Sequence, residues 1–185
     1  RFMASGVELN LPQNFLPLFF STGSIAISHP RQLVVFGLYR DPVSGANSVS
    51  RFDAAGLVIW QPCTATQVFR SFDVSPDGSE LLATCMAVGN SGESEVVVVD
   101  SANGATNRRL PFGRDALGPI AIGQGGAEFL VMNYGGLNRA LMRVDAVTGE
   151  IRQSLGLDGT TAVEIVPDPR RRERPVLVTC STSGA

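Results

Sequence analysis

One motif, repeated at nearly constant spacing, constrains this chain more than any other feature. Its clearest copy lies in residues 72–104: Phe72-Asp73-Val74, the turn Ser75-Pro76-Asp77-Gly78, and the apolar run Leu81-Leu82-Ala83-Thr84-Cys85. A polar loop follows, then the run Val96–Val99 ending in Asp100, then a turn closed by Gly104. Runs with matching surroundings begin at Leu33, Leu81, Phe129 and Val176, so successive copies start 48, 48 and 47 residues apart. Self-similarity at such a period points to a stacked repeat architecture.

A second landmark keeps step with the first. Phe52-Asp53-Ala54-Ala55-Gly56, Val99-Asp100-Ser101-Ala102-Asn103-Gly104 and Val144-Asp145-Ala146-Val147-Thr148-Gly149 each end an apolar strand in Asp and then supply a Gly. The Asp side chain can cap its own turn, and Gly accepts positive φ without a Cβ clash. A further strand follows each: Leu57–Gln61, Ala105–Leu110 and Glu150–Leu155. Four short strands in about 45–48 residues are the content of a propeller blade.

The termini keep the same register. Arg1-Phe2-Met3-Ala4-Ser5-Gly6 matches Arg51-Phe52-Asp53-Ala54-Ala55-Gly56. The expected order is therefore a blade remnant in 1–20, blades in 21–67, 68–115 and 116–160, and a half blade in 161–185. The fold class is all-β, with four-stranded antiparallel blades that belong to a larger propeller. A four-bladed ring closed by pairing Val176–Cys180 with Arg1–Met3 is arithmetically possible, but the N-terminal copy keeps only three residues of its third strand. The runs Val96–Val99 and Leu33–Phe36 are continuously apolar, as expected of sheets covered on both faces.

Composition narrows the function classes. A net charge of −2, from 15 basic and 17 acidic residues, is no electrostatic footprint for nucleic acid or an anionic membrane. The basic run Arg170-Arg171-Arg172-Glu173-Arg174 reads as a solvated insertion in a turn. No apolar run approaches the ~20 residues of a membrane-spanning helix. The chain opens on Arg1, and localisation is left open. Cys85 and Cys180 fill the same slot of the second strand in two blades, which predicts that both are buried, reduced and far apart. With Cys63 in a loop, three free thiols suit a reducing compartment.

The repeat also resembles a known class. The Ser-Pro-Asp-Gly turn ahead of an apolar strand, the strand ending Val-Asp and the turn Gly before an outer strand resemble the YVTN-type blades of bacterial and archaeal propellers, relatives of WD-repeat blades. The resemblance implies the fold and a rim of variable loops, and it admits an activity of the lactonase type.

Candidate chemistry is sparse. Asp73 and Glu164 read as equivalent positions of the innermost strand, where other blades have Ala26 and Ala121, and Arg70 lies close by. Two acids near an axis could hold a cation or a substrate hydroxyl, or could simply satisfy backbone donors. His29, the single histidine, reads as a surface turn residue, which argues against a catalytic triad or a histidine metal site. Trp60 and Phe69 read as packing between blades, and the strings Gly123-Gln124-Gly125-Gly126 and Tyr134–Asn138 as turns rather than phosphate loops. No catalytic residue, metal ligand set or cofactor is assigned. The expected function is a binding module or scaffold that docks another protein, or the rest of a larger polypeptide, through its loop rim. The alternatives are a lactonase-type hydrolase with Asp73, Glu164 and Arg70 at the axis, or a sugar- or metabolite-binding propeller.

Overall fold

The computed structural model describes residues 2–4, 7–9, 25–28, 34–40, 47–53, 56–87, 93–123, 125–135, 139–157, 162–167 and 175–180. These residues form sixteen strands and no helix. Strands β1 (Phe2–Ala4) and β2 (Val7–Leu9) make a two-stranded sheet. The first four-stranded sheet is β3 (Ile25–Ser28), β4 (Val34–Arg40), β5 (Asn47–Asp53) and β6 (Gly56–Trp60). The second is β7 (Gln67–Val74), β8 (Glu80–Ala87), β9 (Glu95–Asp100) and β10 (Thr106–Pro111). The third is β11 (Leu117–Ile122), β12 (Glu128–Asn133), β13 (Ala140–Asp145) and β14 (Ile151–Gly156). The last sheet is a pair, β15 (Ala162–Pro167) and β16 (Pro175–Cys180). Each strand pairs antiparallel with the next within its sheet.

The all-valine core of β9 follows from the stacking of sheets. Successive residues of a strand face opposite ways. Val97 and Val99 pack with Val49, Trp60, Phe69, Phe72 and Leu81, between the first and second sheets. Val96 and Val98 pack with Leu82, Leu110, Phe129, Val131 and Val144, between the second and third. A sheet buried on both faces has no polar side to alternate with. Trp60 and Phe69 are thus the inter-sheet packing residues that the sequence suggested.

The turns use the chemistry legible in the sequence. Asp77 accepts from the Ser75 hydroxyl at 2.7 Å and the Ser79 amide at 3.0 Å. Asp100 accepts from the amides of Ala102 and Asn103, at 2.8 and 3.1 Å, and Asp145 from those of Val147 and Thr148, at 2.9 and 2.8 Å. Gly104 and Gly149 then take φ of 78° and 75°. These bonds hold the Asp77 and Asp145 carboxyls below the ordinary carboxylate range.

Register corrects one detail of the repeat. The residue paired with the position before the turn Asp is Val35 in the first sheet, Leu81 in the second and Phe129 in the third. The first copy is therefore in step at Val35, not Leu33; its apolar run begins before the paired segment does.

The cysteines differ from expectation more sharply. Cys63 and Cys85 form a disulfide, with their Cα atoms 5.3 Å apart. Cys85 is buried as expected, but it is not reduced. Comparing equivalent strand positions overlooked the crossover from β6 to β7, which brings Cys63 over β8. The reading of three free thiols, and the reducing compartment drawn from it, falls with this bond. Cys180 lies in β16; its side chain is outside the described residues.

The two-stranded sheets stay separate. β16 pairs with β15 and β1 with β2, so pairing between β16 and β1 is absent among the described residues.

Candidate functional site

The antiparallel order sends the strand connections to two opposite rims of each sheet. Turns between first and second strands and between third and fourth share one rim. Loops between second and third strands, and the crossovers 61–66 and 112–116, share the other. The loop stretches 41–46, 88–92 and 136–138 lie outside the described residues, as do His29, residues 11–20 and the basic run 170–174.

The two rims differ in what their polar groups do. On the described part of the turn rim Asp77, Asp100 and Asp145 are consumed in their own turns, and Ser101 also binds back through its amide to Ser79 at 3.0 Å. On the loop rim the two described crossovers are pinned through their backbone, and exposed side chains flank them. The 61–66 crossover is held by the Cys63–Cys85 bond and by Arg109, which donates to the Pro62 carbonyl at 3.2 Å. The 112–116 crossover is held by the Phe112 amide on Ser94 (2.8 Å) and by the Ala116 carbonyl, which accepts from Tyr134 at 2.7 Å.

Tyr134 anchors the visible part of this rim. Its ring occupies the space beside Gly118, where a Cβ would stand 2.1 Å from the ring. Arg139 lies 6.0 Å from the ring centroid, within cation–π range. Burial raises the Tyr134 hydroxyl above its ordinary pKa. Arg114 and Glu93 are exposed on the same rim. The sequence reading placed Tyr134 in a turn string and assigned no role to Arg139, Arg114 or Glu93; the small Gly118 within the innermost strand β11 was the available signal for the aromatic contact.

The suggested axial residues lie on two strands, Asp73 and Arg70 on β7 and Glu164 on β15. Asp73 is partly buried on β7, where one carboxylate oxygen accepts from its own Val74 amide and the other from the Ile122 amide of β11, each at 2.8 Å. Burial raises its pKa, and these two bonds pull the other way. Asp73 thus ties two innermost strands together. Arg70 is exposed, at the register shift between Phe69 and Ser71.

Glu164 is one residue out of step with Asp73. Aligning the strand ends Thr84-Cys85 and Thr179-Cys180, the partner of Thr84 is Ser71 and that of Thr179 is Val163. The counterpart of Asp73 is then Ile165, and that of Glu164 is Phe72. Counting from the turns slipped because Pro76 stands two residues beyond the paired Val74, whereas Pro167 directly follows the paired Val166. β11 lies between β7 and β15, so the two acids stand on strands that are not neighbours. The Glu164 side chain is outside the described residues. Among the described residues no cluster of three or more His, Cys, Asp or Glu could hold a metal ion, and no helix is long and apolar enough to cross a membrane.

Four-stranded meanders that stack through paired apolar faces, each handing its chain to the innermost strand of the next, decide the architecture. The sheets are propeller blades. Solved structures agree. The Dos1 propeller matches with a TM-score of 0.54 over 82% of this chain and 38% of its own, at 16% identity. The hydrazine synthase of Kuenenia stuttgartiensis matches with a TM-score of 0.52 over 72% and 38%, at 15% identity. The dihydro-heme d1 dehydrogenase NirN, solved in complex with DHE, matches with 0.54 over 73% and 28%, at 14% identity. At these identities the likeness is one of fold. The chain spans 38% of the first two structures and 28% of the third. No family model and no curated protein matches it.

Proposed function

We propose that this chain is a β-propeller binding module whose loop rim docks another protein. Its blades, 21–67, 68–115 and 116–160 with partial blades at 1–20 and 161–185, belong to a larger ring. The carrying observation is an asymmetry among the described residues: the turn carboxylates Asp77, Asp100 and Asp145 are spent within their own turns, while Arg114, Glu93 and the Tyr134–Arg139 pair stand beside crossovers whose backbone is pinned. A rigid scaffold under varied side chains is the usual basis of recognition by loops.

The alternative is a lactonase-type hydrolase with Asp73, Glu164 and Arg70 at the axis. We favour the binding reading because both Asp73 oxygens already serve backbone amides. Cross-linking in the source cells, followed by mass spectrometry, separates the two. A partner held by the wild type and by the turn-rim variant Ala102→Glu/Val147→Glu, but lost from Arg114→Glu/Arg139→Glu, is the expected result. Equal loss from both variants refutes the loop rim. Saturable lactone hydrolysis abolished by Asp73→Asn refutes the binding reading in favour of the enzyme.

A further inference from the structure

Most arginines whose side chains are described have their charge met within the chain. Arg108 pairs with Glu80 at 2.8 Å, Arg109 with Glu95 at 2.5 Å, Arg143 with Glu128 at 2.6 Å and Arg152 with Asp145 at 3.1 Å. Arg51 donates to the Ala102 carbonyl at 2.9 Å. Arg70 and Arg114 do neither: both are exposed, and neither has a hydrogen bond or an ion pair. A single solvated arginine is ordinary, but these two stand at one junction.

That junction lies between two complete sheets, where β7 and β11 are neighbours. The buried Thr84 hydroxyl lies 3.2 Å from the Ser71 carbonyl of β7 and 3.1 Å from the Gly118 carbonyl of β11. Four residues further along β11, the Ile122 amide donates to Asp73. The two strands therefore run in the same direction and in step, which sets Arg70 at the level of Leu117. Arg114 stands three residues before Leu117, on the incoming crossover. From the side of β12, Tyr134 donates through its amide to the Ala116 carbonyl, with its ring against Gly118 and Arg139 at 6.0 Å from the ring centroid.

Three arginines and a tyrosine ring thus gather around the start of β11, on a chain whose net charge is −2. The acids nearby offset them only in part. Glu95 is already engaged by Arg109 and by Gln67. Glu93 and Asp115 remain, and neither forms an ion pair with an arginine.

We propose that the loop-rim end of the β7–β11 junction docks an acidic segment of the partner protein, whose carboxylates accept from Arg70 and Arg114 while its chain lies against Tyr134 and Arg139. This deepens the binding-module reading and rests on it. Bonds from guanidinium to carboxylate are charge-assisted and form in pairs, so two open arginines suffice to select acidic side chains. The crossover that carries Arg114 is fixed beforehand by the Phe112 and Tyr134 amides, which lowers the ordering cost of docking. A peptide suits the site better than a nucleic acid. The unbroken charge of a phosphate backbone would meet Glu93 and Asp115 in repulsion, whereas a peptide can set neutral residues opposite them.

Fluorescence anisotropy on the full chain, with a fluorescein-labelled octaglutamate peptide, tests this. Saturable binding is expected that weakens as salt is raised. Arg70→Ala and Arg114→Ala should each weaken it by about tenfold, the loss of one charge-assisted contact. The charge-keeping Arg70→Lys/Arg114→Lys should retain most of the affinity, and Arg152→Ala, on an arginine of the turn rim already paired with Asp145, should change nothing. The targeted side chains are exposed and unpaired, so the variants leave the fold intact; circular dichroism checks this. Binding that is equally weak in Arg152→Ala, or indifferent to Arg70 and Arg114, overturns the proposal. A labelled single-stranded DNA octamer that binds more tightly than the peptide also overturns it, in favour of nucleic acid. Absence of peptide binding, beside a cross-linked partner still lost from Arg114→Glu/Arg139→Glu, overturns the acidic segment alone and leaves the loop rim standing.

Discussion

Trp60 occupies the place where a side chain on Gly104 would stand, across the boundary between the first and second sheets. Two constraints meet at that glycine, since φ of 78° already disfavours a Cβ and the indole leaves no room for one. Gly104→Ala is expected to cost about 2–4 kcal/mol, combining left-handed strain with overpacking. Trp60 is the single tryptophan, so its fluorescence reports the change directly in a urea titration. A loss below about 0.5 kcal/mol, the range of an ordinary surface substitution, would show that the contact is absent.

The Cys63–Cys85 bond closes a loop with a sequence separation of 22 residues. The chain-entropy relation for a loop of that length gives about 3 kcal/mol. Melting with and without a reductant should show the reduced protein unfolding at lower temperature, and Cys63→Ser/Cys85→Ser should match it. Alkylation under denaturing conditions should label two more thiols after reduction than before. Equal labelling would remove the bond from the structure.

Leu110 and Leu155 hold equivalent register positions but very different environments, one buried and one exposed. Leu110→Ala is expected to cost about 2–3 kcal/mol by vacating the space against the third sheet. Leu155→Ala should stay within about 0.5 kcal/mol in the isolated chain. Chemical denaturation of the two variants side by side measures the contrast; similar losses would contradict this difference in burial.

Asp73 titrates above its ordinary 3.8 because burial disfavours the carboxylate. Its folded-state pKa is therefore raised, so its contribution to stability is full below the unfolded value and is lost as pH rises through the folded one. The stability of the wild type relative to Asp73→Asn should accordingly decline with pH across that window. At neutral pH the variant should still be weaker by about 1–2 kcal/mol, because an amide nitrogen would face one of the two backbone N–H donors. Carboxyl NMR that places Asp73 at or below 3.8 would reverse the pH argument.

Much of this fold is legible in the sequence because the repeat encodes it locally. The Asp that caps each third-strand turn, the glycine that follows, and the unbroken valines of Val96–Val99 are each explained within a few neighbouring residues. Turn chemistry and strand period act over that range, and together they are enough to mark out the blades. The loop rim is legible as a rim, since strand order alone assigns it, but not as a set of side chains. Tyr134 and Arg139 come together only where Gly118 lets the ring approach.

What tertiary structure decided is what depends on contacts between distant parts of the chain. The crossover carries Cys63 onto β8, and no comparison of repeat positions could place it there. Glu164 stands one register step from Asp73, a difference invisible until backbone pairing sets the register. The contrast between Leu110 and Leu155 likewise has no local cause. Both end an outer strand of the same kind, and burial is settled by whether a neighbouring sheet stands beside it.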